Sequence, residues 1–173
     1  MNLDLSGQHV LVTGGSKGIG LACAQEFCRE GARVTIVARS REGIDAALGQ
    51  LKALGFACHG VMADLTDAGA AARAVDEAER VSGPVDVLVN SAGAARRTPF
   101  EELTPQAWHD AMQAKFFTYV HVMDPLVKRM GAAGRGAIVN VVGAGGKVAG
   151  PTHLAGGSAN AALMLASAGL AAA

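Results

Sequence analysis

Short apolar runs alternate with amphipathic stretches along the whole chain. Residues 9–13 are an apolar run that ends in glycines, and residues 18–30 carry Ile19, Cys23 and Phe27 at helical spacing before Gly31. A β-branched run at 33–38 then precedes an amphipathic stretch at 41–54 closed by Gly55, and a weaker strand at 58–62 precedes an Ala-rich helix over 67–81. A fourth strand is predicted at 85–90, a long helix from Pro105 to Met130, a fifth strand at 137–142 and a last helix from near Leu154. Continuously apolar strands separated by helices predict an α/β domain, with a doubly wound parallel sheet covered on both faces by right-handed crossovers. One domain over residues 1–173 is expected, without internal repeats. The helical pattern runs to the last residue with no Gly, Asn or Pro stop signal. The stretch is therefore expected to be incomplete at its C-terminal end.

Composition narrows the partners. Half of the residues are hydrophobic and 17% are charged, as in a compact soluble protein. Fifteen basic and fifteen acidic residues cancel, so no global field favours nucleic acid or an anionic membrane surface, and any anion site must be local. Cys23, Cys28 and Cys58 have no metal-ligand spacing, and nothing at the N-terminus resembles a signal peptide, which suits free thiols in the cytoplasm. No apolar run approaches the roughly 20 residues of a membrane span, and the small, apolar stretch 161–173 reads as a buried helix.

The first glycines carry the clearest chemistry. Thr13, Gly14, Gly15, Ser16, Lys17, Gly18, Ile19 and Gly20 join the first strand to the first helix. Free backbone N–H groups and the positive helix end can there meet a pyrophosphate with no side chain in the way. A lone glycine motif is weak, but strand, turn and helix in this order are the context that it needs. The glycines stand at Gly14, Gly18 and Gly20, with Leu21-Ala22 where a third glycine would complete the usual dinucleotide spacing.

That Thr-Gly-x-x-x-Gly-x-Gly arrangement resembles the short-chain dehydrogenase/reductase family, NAD(P)-dependent oxidoreductases with a single Rossmann-type domain. Asp64-Leu65 after the third strand looks like the family's adenine-contacting pair, and Asn90-Ser91-Ala92-Gly93 like its stretch after the fourth. Ile138-Val139-Asn140 matches its fifth strand, and because the family's fold continues with two more strands, the resemblance implies that C-terminal strands are missing from this stretch and that strand 137–142 is left as an exposed edge. The resemblance implies cofactor contacts at Thr13, Gly14, Ser16, Lys17, Gly18, Ile19, Gly20, Arg39, Asp64, Leu65, Asn90, Ala92 and Gly93. An NAD-preferring site ends its second strand in a carboxylate, whereas this chain has Ala38 followed by Arg39. With Lys17, Arg39 can converge on a 2′-phosphate, so NADP(H) is expected over NAD(H). Arg41 could take the place of Arg39, and both cations could equally be solvated surface charges.

The catalytic pattern departs from the family. Its members use a Ser, a Tyr acid, a Lys and an Asn, and the matching positions here are Gly143, Gly156, Asn160 and Lys115. Lys115 and His153 are the candidate substitutes. Ser158 is a candidate cap for the last helix, Tyr119 is read as packing, and Trp108, Phe116 and Phe117 as core or subunit-interface residues. Two readings remain open: an NADP(H)-dependent oxidoreductase with an unorthodox acid acting on an unknown carbonyl or alcohol, and an inactive NADP(H)-binding sensor or partner subunit. A homo-oligomer, dimer or tetramer, through the long and last helices suits either, and a structural subunit is a weaker third reading.

Overall fold

The computed structural model describes residues 5–94 and 96–173. Five parallel strands lie in the order β3-β2-β1-β4-β5: β1 (His9–Thr13), β2 (Arg33–Ala38), β3 (His59–Met62), β4 (Val87–Asn90) and β5 (Ala137–Asn140). Helices α1 (Gly18–Arg29), α2 (Arg41–Ala53) and α3 (Ala68–Ser82) follow the first three strands. After β4 the chain enters α4 (Pro105–Ala111), a π-helical stretch at Met112–Phe117 and α5 (Thr118–Ala133), and α6 (Leu154–Ala172) follows β5. The doubly wound α/β Rossmann-type architecture expected from the pattern is thus present. Strand order reverses at β1, between β2 and β4, and the carboxyl ends of those strands flank the crevice where such sheets bind ligands.

Side-chain alternation explains the two layers. Val10, Val12, Val34, Ile36, Val87 and Val89 point to the face covered by α1 and α2, where Ala24, Ile44, Ala47 and Leu51 are buried. Leu11, Val37, Val61 and Leu88 point to the other face, against Ala71, Val75, Tyr119, Met123, Leu126 and Leu163 from α3, α5 and α6. Ser40, Asp67 and Thr104 cap α2, α3 and α4 through their side-chain oxygens.

Several expectations need correction. Only the first half of α6 is buried, and Leu165 is 77% exposed, so stretch 161–173 is not a buried helix. With 19 residues and no charge, α6 is also long and apolar enough to cross a membrane by length and composition, which the sequence reading understated. The last helix starts at Leu154 as expected, and Gly156, Gly157 and Asn160 are buried within it. Ser158 lies inside α6, exposed, and is not its cap. Trp108 and Phe117 are more than a third exposed and therefore not core, whereas Phe116 packs on the core. β5 pairs only with β4 among the described residues, and Val139 at this edge is half exposed.

Candidate functional site

The glycine turn is held by close approach of backbones. Gly14 and Gly18 adopt φ of +66° and +56°, a region costly for other L-residues. A Cβ on Gly14 would come within 2.8 Å of the Ala92 backbone, one on Gly15 within 2.6 Å of Ile36, and one on Gly20 would collide with the Gly14 carbonyl oxygen. Around Gly18, by contrast, a Cβ would meet nothing within 4 Å, so the start of α1 is open. No acidic residue sits in its first turn and Lys17 makes no cap, so backbone donors and a helix dipole face an open space. Lys17 and Ile19 are exposed at this mouth, and Ser16 is half-buried beside Gly43 at the start of α2. These residues fit a pyrophosphate.

Thr13 and Asn90 are both fully buried, and their side chains hold together the backbone around the glycine turn. The Thr13 hydroxyl donates to Asn90 Oδ1 at 3.1 Å and accepts from the N–H groups of Ser91 at 3.1 Å and Ala92 at 3.2 Å. Asn90 Nδ2 donates to Asn140 Oδ1 at 3.0 Å, and Asn140 Nδ2 to Ser167 Oγ at 2.8 Å. A polar chain thus crosses from β1 through β4 and β5 to α6. Asn140 had been read only as part of a strand, because sequence gives no sign of which residues face each other across strand ends.

Beyond β2, Arg39 is exposed and close enough to Asp64 to help lower its carboxyl pKa, although the larger causes are the Thr66 N–H at 3.0 Å and hydroxyl at 2.8 Å. Arg39, Asp64 and Lys17 therefore belong to the β2–β1 side of the crevice. Leu65 does not: its side chain is core, and only its backbone is available, with the carbonyl already 3.0 Å from His121 Nδ1.

On the β4–β5 side stands Lys115, in the π-helical stretch. Such single turns often mark functional positions. Its side chain runs beside Gly93, where a Cβ would lie 3.2 Å from Lys115 Cδ. Its Nζ donates to the Val141 carbonyl at 2.9 Å and to the Tyr119 hydroxyl at 2.6 Å, and Tyr119 also donates to Val141 O at 2.8 Å. Burial lowers the Lys115 pKa to about 8 and raises that of Tyr119. Tyr119 was read as packing; it is buried but also partners the lysine.

Gly143 and Gly156 are closely packed by neighbours. A Cβ at Gly156 would fall 2.5 Å from His153 Cε1, so the imidazole fills the space beside the glycine. His153 Nδ1 is buried without a hydrogen-bond partner. Asn160 accepts from the Gly143 N–H at 2.9 Å and donates to the Gly156 carbonyl at 2.8 Å, which ties both glycine positions together. Lys115 and His153 do not share a hydrogen bond. A cleft of about 320 Å³ opens between the loop after β4, α4 and the start of α6, lined among others by Ala94, Arg96, Asp110, Ala114 and Ala155.

Comparison with known proteins agrees with this geometry. Residues 8–173 match the signature of the short chain dehydrogenase family. Gluconate 5-dehydrogenase of Gluconobacter oxydans is 37% identical over 86% of this chain and 58% of its own length. D-threitol dehydrogenase of Mycolicibacterium smegmatis is 38% identical over 87% and 58%. The chain thus spans somewhat more than half the length of these relatives. Among solved structures, an actinorhodin polyketide ketoreductase with NADPH superposes with a TM-score of 0.90 at 30% identity, over 98% of this chain and 66% of its own. An NADPH-bound short chain oxidoreductase from Pseudomonas aeruginosa PAO1, with an atypical catalytic center, gives 0.86 at 32% identity, over 92% and 63%. The match over residues 8–173 and the likeness to these relatives show that the chain belongs to the short chain dehydrogenase family.

Proposed function

We propose that this chain is the nucleotide-binding part of an NADP(H)-dependent oxidoreductase acting on a carbonyl or alcohol, with Lys115 as its acid and base. The observation that carries this reading is the Lys115 ammonium, desolvated to a pKa of about 8 and held between the loops that follow β4 and β5. Gly14, Ser16, Gly18, Ile19 and Gly20 cradle the pyrophosphate, and Ala92 and Gly93 leave room along the crevice. Lys17 and Arg39 take the 2′-phosphate, and Ala38 offers no carboxylate to repel it. Reduced nicotinamide, when bound in this crevice, would supply the hydride for carbonyl reduction. Lys115 Nζ gives its proton to the carbonyl oxygen as charge develops there and takes it back in the oxidative direction. Tyr119 and the Val141 carbonyl hold the amine in place, and the cleft beside Ala94 and Ala155 receives the substrate.

The experiment is an NADPH titration followed by turnover on a panel of carbonyls. Lys115→Ala should lower kcat by roughly 100-fold or more with NADPH affinity unchanged. Turnover that survives both Lys115→Ala and His153→Ala overturns the substitute acid. The filling of the Gly156 position by His153 favours a second reading, a non-catalytic NADP(H) binder, for which NADPH binding without turnover on any carbonyl is the expected result. Either form is proposed as a cytoplasmic homo-oligomer through α4 and α6, where Trp108, Leu165 and Leu170 are exposed; light scattering tests this.

A further inference from the structure

Two of the three cysteines meet at the end of the sheet opposite the glycine turn. Cys28 lies in the last turn of α1 and Cys58 immediately before β3, 30 residues apart, and their sulfurs are 3.2 Å from each other. Cys28 is buried against the α1–α2 layer, and Cys58 is partly exposed on the same cluster. Cys23 is one further turn back along α1 and has no such neighbour among the described residues.

We propose that Cys28 and Cys58 are a reversible disulfide-forming site that reacts with peroxide. A disulfide needs its sulfurs at about 2.05 Å, so closure asks for a shift of little more than an ångström between side chains already facing each other. The two thiols share a hydrogen bond in which either sulfur can be the donor, and Cys58, the less buried of the two, is the one that an oxidant in solvent reaches first. The partly exposed sulfur is thus the nucleophile and the buried one the resolving thiol.

The steps balance with hydrogen peroxide as the oxidant. Cys58 Sγ attacks one peroxide oxygen, an S–O bond forms, the O–O bond breaks, and hydroxide leaves and is protonated to water. Cys28 Sγ then attacks the sulfenic sulfur, an S–S bond forms, the S–O bond breaks, and the departing hydroxide takes the Cys28 proton as a second water. The two thiols lose two electrons and peroxide gains them. A thiol reductant reverses the cross-link.

The test treats the folded chain with hydrogen peroxide, blocks remaining thiols with iodoacetamide and maps peptides without reduction. The expected result is a Cys28–Cys58 cross-linked peptide, with alkylatable thiols falling from three to one. Closing a loop of this length should raise Tm by about 5–10 °C, reversed by dithiothreitol. Cys23→Ser should leave the reaction intact, and Cys28→Ser and Cys58→Ser should each abolish it. Mapping of the unsubstituted chain decides the matter even if a serine variant folds poorly. Three free thiols after treatment, or a cross-link that uses Cys23 or joins two chains, overturns the proposal.

Discussion

Replacing Lys115 by Met tests the physical basis of the proposed acid without requiring a known substrate. A lysine whose pKa drops from 10.5 to about 8 on folding loses its proton in the native state well before it does so in the unfolded chain. Between those values the unfolded state binds more protons, so stability rises as pH increases. In a dry site that difference would amount to roughly 3 kcal/mol, and solvent screening at this half-open position brings it to about 1–2 kcal/mol. Met keeps the length of the side chain and removes the ammonium. Val141 O still accepts from the Tyr119 hydroxyl, so no buried carbonyl is orphaned. Thermal unfolding from pH 7 to pH 10 should show the parent gaining about 3–6 °C relative to the variant. Above pH 10 Tyr119, whose pKa is raised by burial, contributes with the opposite sign, which closes the window there. The cysteines titrate alike in both proteins and cancel in the difference. Parallel Tm profiles would show that the amine is fully solvated and would remove the argument for its catalytic use.

Three other outcomes follow from the crevice. Ala38→Asp should weaken NADPH binding by about 10- to 100-fold and spare NADH, with Arg39→Ala acting in the same direction; equal effects on both nucleotides in calorimetry would make Lys17 and Arg39 ordinary surface charges. Gly20→Ala places a methyl against the Gly14 carbonyl and should abolish measurable NADPH binding, a result excluded if fluorescence titration finds unchanged affinity. Thr13→Val removes the acceptor of two backbone N–H groups and should cost about 2–4 kcal/mol in urea unfolding, with most of that restored by Thr13→Ser; no loss with Val would mean that water satisfies those groups.

The sequence was most informative where function depends on the backbone. Strand, glycine turn and helix at residues 9–29 are visible because apolar periodicity and glycine spacing are local. It was less informative where a motif mixes roles. Asp64 and Leu65 are adjacent, yet the turn after β3 leaves the acid at the surface and puts the leucine into the core. Thr13 and Asn90 match the family's nucleotide motifs but serve from behind the turn, through hydrogen bonds that only strand pairing reveals. Tyr119 and Lys115 are one turn apart, so their contact was available from helical spacing; what sequence could not supply is the Val141 carbonyl that both reach. The Cys28–Cys58 encounter depends on α1 and β3 packing on the same layer and has no local signal.

The unusual positions support one another physically. A site that had merely lost its side chains would leave buried polar groups unsatisfied, since each costs about 1–3 kcal/mol. Here Asn160 satisfies the Gly143 N–H, and His153 packs where a side chain at Gly156 would be. Lys115 and Tyr119 share one carbonyl on the other side of the crevice. The unpaired group among these is His153 Nδ1, buried beside Gly156. A desolvated amine is itself costly to keep, and the fold places this one at the carboxyl ends of β4 and β5, where an arriving carbonyl oxygen would need a proton. The proposed role of Lys115 rests on that placement.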